Sequence, residues 1–301
     1  MCFFIWQNVY IIPIIKVCYN LFEEDFKGDN NPMNNDYDIK VVQNEILKIM
    51  KELHKILTEN NFKYYLCGGS VLGAIRHNGF IPWDDDLDIM MPREDYERFI
   101  KTASELLPDY LYLQGPSNCN EAPLMFHKVR KKNTLFEEKI NRGLKYPKGI
   151  FVDIFPLDST DDNGKRFFRK MKKVRFYKKI YLFQRRKDGK HRLVQLISHL
   201  IPRKFCVKRV TKLCVNKEAT KFYFESLSQY PIHKVIYTQD VIGDGVLHKF
   251  EDTEFYIPTN YDKYLSTKFG DYMKLPPEEK RGVQHDVVRL LLNYDDSEYF
   301  K

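Results

Sequence analysis

A Gly68-Gly69-Ser70 turn follows an apolar run, and a cluster of carboxylates, Asp84, Asp85, Asp86 and Asp88, follows the turn. Asp84, Asp86 and Asp88 are spaced by two, so on an extended strand all three side chains share one face. Carboxylates held that close raise one another's pKa and resist ionising together. A divalent cation relieves the repulsion, and an all-oxygen ligand set selects Mg²⁺ or Mn²⁺ over zinc. The backbone amides of a glycine turn that feeds a helix suit a phosphate. The two features together imply phosphoryl or nucleotidyl chemistry. A flexible acidic loop would not be flanked as this run is, by Phe80-Ile81-Pro82-Trp83 before it and Leu87, Ile89, Met90 and Met91 within and after it.

Other residues are candidates for the same chemistry. Asp153 interrupts an otherwise apolar strand, Phe151-Val152-Asp153-Ile154-Phe155. A carboxylate there is costly unless paired, either by a metal shared with Asp86 and Asp88 or by backbone N–H groups. Arg76 and His77 follow the short helix after the glycine turn and sit near the metal loop, and Lys128 and Arg130 alternate on a strand, so both can face one site. Such cations suit phosphate oxygens and are otherwise ordinary surface charges. Cys67 reads as a buried strand residue and not as a nucleophile.

The block GGSVLGAIRHNGFIPWDDDLDIMMPREDYERF, residues 68–99, resembles the signature of the LicD family of phosphorylcholine transferases. That family is related to the fukutin-type ribitol-phosphate transferases and, more distantly, to the polymerase-beta-like nucleotidyltransferases with their GGS…DxD pattern. Shorter similar pieces are HKVRKKNT at 127–134, FVDIFPLD at 151–158 and FGDYMKLPPEEKRGVQH at 269–285. The resemblance runs from about residue 36 to about 290 and is weakest over 160–245.

It implies an α+β fold: a nucleotidyltransferase-like mixed β-sheet core with packed helices, plus a basic helical insert. The implied reaction is transfer of phosphocholine, or a related alcohol phosphate, from a CDP-activated donor to a hydroxyl of a surface glycan or lipid-linked glycan, with Mg²⁺ or Mn²⁺. Gly68, Gly69 and Ser70 match the turn that holds donor phosphate. Asp86 and Asp88 match the paired metal ligands and Asp153 the third carboxylate. Asp84 is in phase with them as an outer ligand. His285 matches a family-typical histidine, as a phosphate contact or a base with pKa near neutral. The chain departs from the pattern in having one histidine there, followed by Asp286, where many relatives have two. A choline head group needs an aromatic cage; Trp83 is near the metal strand but reads as core. A strict nucleotidyltransferase releasing pyrophosphate from an NTP is the competing enzymatic reading. A non-catalytic basic membrane-surface or nucleic-acid-binding protein is the other.

These residues need a scaffold, and 301 residues with 43% apolar content supply one. Six cysteines form no CxxC pair or zinc spacing, which points to a reducing cytoplasm. The net charge is +8, yet residues 165–212 hold 19 Lys or Arg and one acid, Asp188. That stretch is +18, so the remainder carries −10. Twelve of the cations fall within 165–187, an expected surface for an anionic glycan or membrane face. Nucleic acid is not expected, since no RRM, KH, helix-turn-helix or zinc-finger signature is present. The expected location is cytoplasmic, at most peripheral on the inner membrane face.

Four segments follow: 1–32, 33–160 as the catalytic core, 161–245 as the basic helical region, and 246–301 completing the domain. Residues 1–32 are apolar but interrupted, with no charged n-region or cleavage site, and make a poor membrane span. Lys27-Gly28-Asp29 back-translates to a ribosome-binding sequence, so 1–32 is read as an extension ahead of a start at Met33. Periodicity predicts an amphipathic helix over 38–60 through Ile39, Val42, Ile46, Ile49, Leu53 and Ile56. Strands are predicted over 62–67, 85–91, 111–114, 125–131 and 151–155. Ser70 is expected to cap a helix to Arg76, and Pro92 to open one reaching about Leu107. In the basic region Phe168, Met171, Val174, Tyr177 (or Lys178) and Tyr181 form the expected inner stripe. A hairpin over 248–257 and a helix over 260–269, stopped by Gly270, follow.

Overall fold

The computed structural model describes residues 37–185, 192–216, 218–283 and 285–300; the expected extension over 1–32 lies outside them. The chain runs α1 (Ile39–Glu59), β1 (Tyr65–Leu66), α2 (Gly69–His77), β2 (Asp88–Pro92), α3 (Arg93–Leu106), β3 (Leu111–Gln114), β4 (His127–Lys131), β5 (Leu135–Glu138) and β6 (Phe151–Thr160). Then come α4 (Lys165–Phe183), α5 (Arg192–Ser198), α6 (Arg203–Cys214), β7 (Phe222–Glu225), β8 (Ile236–Thr238) and α7 (Gln239–Ile242). The hairpin β9 (Val246–Phe250) and β10 (Thr253–Ile257), then α8 (Tyr261–Phe269) and β11 (Val287–Leu291), complete it.

A seven-stranded mixed sheet is the frame, in the order β1-β2-β6-β4-β3, with β7 beside β6 and β8 beside β7. β6 is the pivot. It runs parallel to β2, and its first half pairs antiparallel with β4 while its second half pairs with β7. Helices pack on this mixed sheet and two small ribbons, β9/β10 and β5/β11, flank it, which makes the fold α+β.

The expected helix over 38–60 forms as α1, with Asp38 accepting from the Lys40 amide as N-cap. Its Val42, Ile46, Ile49, Leu53 and Ile56 are buried, the stripe that a 3.6-residue period demands. They join Leu66, Val71, Ile89, Phe99, Val152 and Ile154 in the main core. A second apolar cluster lies under α4 and α6, where Phe167, Met171, Val174 and Ile180 meet Cys206, Val210 and Phe224.

Several elements differ from expectation. The strand expected over 85–91 begins only at Asp88, so Asp84 to Leu87 are irregular backbone. Only Tyr65 and Leu66 of the 62–67 run pair as strand. Gly68, not Ser70, is the N-cap of α2, and Pro92 caps α3 instead of occupying its first turn. Phe167 takes the inner position on α4 and Phe168 is left exposed, because the Phe167 ring meets Phe224 of β7 at 5.2 Å. Within the stretch read as helical, 222–225 and 236–238 instead extend the main sheet.

Candidate active site

The site is built where β1 ends and β2 and β6 begin, beside the start of α2. β1 pairs with β2, and the Cys67 amide continues the ladder to the Asp88 carbonyl at 3.0 Å. The chain then reverses at Gly68, whose φ of 57° and ψ of −129° place it where L side chains are strained. A Cβ on Gly68 would lie 3.5 Å from Asp88 Oδ2, and one on Gly69 would lie 2.9 Å from Asp84 Oδ2. The glycines therefore let backbone approach the carboxylates. Ser70 Oγ accepts from the Asp88 amide at 2.8 Å, so its oxygen fixes β2 to the turn and does not cap the helix.

Asp88 and Asp153 sit opposite each other on the parallel strands β2 and β6. Asp84, Asp85 and Asp86 come from the irregular segment before β2, which α1 holds. Gln43, buried on α1, donates to the Ile81 carbonyl at 3.1 Å and the Asp84 carbonyl at 2.8 Å. Burial and the neighbouring Asp86, Asp88 and Asp85 charges push the Asp84 carboxyl well above its ordinary value. Burial followed by Asp86 and Asp153 does the same at Asp88. For Asp86 burial raises the pKa to about 6, with His285 pulling it back. Asp153 is raised by burial and lowered by Lys128.

Two cations stand against this group. Lys128, opposite Asp153 across the β4/β6 ladder, pairs with its Oδ1 at 2.6 Å and is itself buried. Its ammonium lies 3.4 Å from the centre of the Phe151 ring. His285 places Nδ1 2.9 Å from Asp85 Oδ1 and Nε2 4.0 Å from Asp86 Oδ2 and 3.9 Å from Glu138 Oε1. Burial opposes its charge, but the hydrogen bond to Asp85 and the fields of Glu138 and Asp86 raise its pKa to about 10. In its charged form the imidazole donates from both ring nitrogens, toward Asp85 on one side and toward Asp86 and Glu138 on the other.

Asp86, Asp88 and Asp153 are close enough to shift one another's pKa. Among the described residues, however, no three His, Cys, Asp or Glu side chains are gathered as a metal-ligand group. The donor set suits a hard divalent cation in kind, being oxygen-only and overcrowded with negative charge. Lys128 and His285 supply positive charge at the margins of this carboxylate group.

The remaining expected residues make other contacts. Arg76 donates from Nη1 to the Tyr272 carbonyl at 2.9 Å and from Nε to His77 at 2.9 Å, tying α2 to the C-terminal segment. The His77 ring stands edge-on to half-buried Trp83, which packs against the core. Arg130 is almost fully buried, donating to Gln114 at 2.8 Å and to the Gly149 carbonyl at 2.6 Å. Its guanidinium lies 4.8 Å from the centre of the Phe151 ring that Lys128 also meets, and its charge lowers the Asp153 pKa.

Some residues escaped the sequence reading. Asp85, out of phase with its neighbours, anchors His285 and accepts from Tyr37 Oη at 2.8 Å. Behind the turn, the Gly68 amide donates to Tyr264 Oη at 2.9 Å. Tyr264 donates to Glu225 Oε1 at 2.8 Å, and Lys268 grips both oxygens of Glu225 at 2.7 and 2.6 Å. The Gly68 N–H is thus already engaged by α8, and the helix-opening Gly69 is left as the nearer amide for an anion. Tyr230 lies over Lys268, and the carboxylates Asp88, Glu225, Asp84 and Asp86 add to burial in raising its pKa. The 264/268 spacing on one helix face was the single local hint of this network.

Residues 61–188 match a family model described as LicD/FKTN/FKRP, nucleotidyltransferase domain. Over those residues this chain is similar to the nucleotidyltransferase domain that the family model describes. It is similar to the lipopolysaccharide cholinephosphotransferase LicD of Haemophilus influenzae, with 28% identity over 258 residues, 79% of this chain and 92% of that protein. An uncharacterized protein of Rickettsia prowazekii is 36% identical over 118 residues, 37% of this chain and 44% of its own length. One of Rickettsia typhi is 32% identical over 127 residues, 37% of each.

Proposed function

We propose that this chain transfers phosphocholine, or a related alcohol phosphate, from a CDP-activated donor to a hydroxyl of a cell-surface glycan. Transferase chemistry of the cholinephosphotransferase kind is what the family domain and the relative spanning most of the chain support together. The observation that carries the reading is the Asp88–Asp153 pair on adjacent parallel strands, set beside the Gly68–Ser70 turn.

Asp86, Asp88 and Asp153, with Asp84 alongside, would hold Mg²⁺ or Mn²⁺. When bound, the metal neutralises the donor pyrophosphate and makes the acceptor hydroxyl more acidic. The chain's own residues do the rest. The Gly69 amide at the head of α2 meets phosphate without an intervening side chain. His285, held charged by Asp85, and Lys128, held over Phe151, provide N–H donors for charge on a phosphoryl oxygen. Gln43 and Ser70 keep the acidic segment in register with the turn. In phosphoryl transfer such positioning and charge stabilisation carry most of the rate.

The test is the identity of the leaving group. The protein is supplied with Mg²⁺, crude surface glycan, and in turn CDP-choline, CDP-ribitol, CDP-glycerol and the four NTPs. CMP release with one CDP donor is expected. Pyrophosphate from an NTP would instead assign strict nucleotidyl transfer, and no turnover with any donor, glycan present, would sink the enzymatic reading.

A further inference from the structure

We propose that the outward face of α4 and α6 is a docking surface for an anionic lipid bilayer, on which the protein lies without spanning it. The sequence concentrates charge here: +18 over 165–212 against −10 in the rest of the chain. The fold then sorts those cations into two sets. Arg175 and Lys178 turn inward to carbonyls of the 227–230 loop, and Arg203 is buried, donating to the Tyr181 and Ala122 carbonyls. Arg185 pairs with Glu121. What α4 leaves exposed is Lys165, Arg166, Arg169, Lys172 and Lys173, and what α6 leaves exposed is Lys204, Lys208 and Lys212. Neither helix contains an acid.

The two helices form one surface. Their inner faces share the second apolar cluster, and their edges meet where the Tyr177 and Phe205 rings stand 6.1 Å apart, with the Arg209 guanidinium 6.0 Å from the Tyr177 ring. A merely solvated basic face would be polar throughout. This one also presents Phe168 and Phe205, and the adjoining α5 segment presents Leu196 and Leu200, each 70% exposed. Those two leucines are the most exposed large apolar side chains among the described residues. Cations interleaved with exposed Phe and Leu are the makeup of an interfacial helix, whose apolar groups enter the acyl boundary while Lys and Arg meet anionic headgroups. A nucleic acid would use the cations but gains nothing from exposed leucines. Among the described residues no helix is long and apolar enough to cross a membrane.

The test is co-sedimentation of the full chain with vesicles of phosphatidylcholine alone and with about 30 mol % phosphatidylglycerol added. Binding to the anionic vesicles alone is expected, falling with salt as charge screening requires. The variant Lys172→Gln/Lys173→Gln/Lys204→Gln/Lys208→Gln should lose at least tenfold in vesicle affinity. A second variant, Leu196→Ser/Leu200→Ser, should weaken vesicle binding severalfold yet leave retention by a single-stranded RNA oligonucleotide unchanged. Thermal melts identify any variant that fails to fold, and the leucine pair, exposed in the native state, keeps the test decisive if the lysine variant is lost. Equal binding to neutral and anionic vesicles would overturn the proposal. So would a leucine variant that binds vesicles like wild type, or tight RNA binding that vesicles do not compete; the latter would assign the face to nucleic acid. The readout needs no turnover, so it stands or falls separately from the proposed transfer reaction.

Discussion

Replacing Tyr264 by Phe removes one oxygen from a buried relay that joins the C-terminal helix to the glycine turn. The oxygen accepts from Gly68 N–H at 2.9 Å and donates to Glu225 Oε1 at 2.8 Å. The ring itself has its packing retained against Tyr237, with centroids 4.8 Å apart. The loss is therefore almost purely of hydrogen bonds. A bond to a charged acceptor is worth about 1.5–3 kcal/mol, and an amide left buried without a partner costs about 1–3 kcal/mol. Allowing for partial relaxation, the variant should be destabilised by about 2–4 kcal/mol. The same change frees Gly68, at φ 57°, from the contact that sets the direction of the turn. Transfer should then fall by about tenfold for each 1.4 kcal/mol of lost positioning, even where the protein is fully folded. Urea unfolding gives the first quantity and CMP release at saturating acceptor gives the second. A loss below about 0.5 kcal/mol, within the range of a neutral surface substitution, together with unchanged turnover would refute the relay.

Other substitutions probe the carboxylates and their cations. Asp86 has its pKa raised from 3.8 to about 6, so ionising it opposes folding as pH rises through that window. Asp86→Asn should raise the melting temperature of the metal-free protein at pH 7.5 while cutting transfer by at least about a hundredfold; a lower melting temperature or intact turnover contradicts the site. Added Mg²⁺ should raise the melting temperature of wild type and not of Asp86→Asn, as ligand linkage requires. His285 has its pKa raised from 6.5 to about 10, so its stabilisation is complete below 6.5 and lost as pH climbs through about 10. Over that interval wild type should lose urea resistance more steeply than His285→Gln, and parallel curves would remove the His285–Asp85 pairing. Gly73→Ala would put a Cβ 2.4 Å from the Gly79 carbonyl oxygen, which is backbone and cannot swing aside. A cost of at least about 2 kcal/mol is expected in urea unfolding.

Periodicity made α1, β3, the β9/β10 hairpin and α8 legible, because each has a regular face or a clear stop. Asp38 at the start of α1 and Gly270 at the end of α8 sit where capping rules place them. The carboxylate cluster was visible as composition but not as geometry. Alternation by two holds only in a strand, and the segment 84–87 is held by Gln43 from α1 instead, a contact 41 residues away. That is why Asp85, which falls outside the two-residue spacing, proves to be the anchor of His285, 200 residues distant. Ser70 had the type and place of a cap, but its hydroxyl is taken by the Asp88 amide. Lys128 and Arg130 do share a strand face by spacing, yet Gln114 and Gly149 hold Arg130 in the core while Lys128 reaches Asp153. β7 and β8 are short strands that follow the basic helices, and nothing local distinguishes them from loop. Phe167 and Phe168 are adjacent, so only the tertiary partner Phe224 decides which one is buried.

The most direct test of the central claim follows both sides of the transferred bond. CDP-choline labelled in the choline methyls and in the choline-bearing phosphorus is incubated with the protein, Mg²⁺ and surface glycan. The account predicts that both labels reach the glycan in equal amounts with stoichiometric CMP, and that Asp88→Asn and Asp153→Asn abolish the incorporation. Arrival of the nucleotide on the glycan, or incorporation undiminished without those two carboxylates, would contradict it.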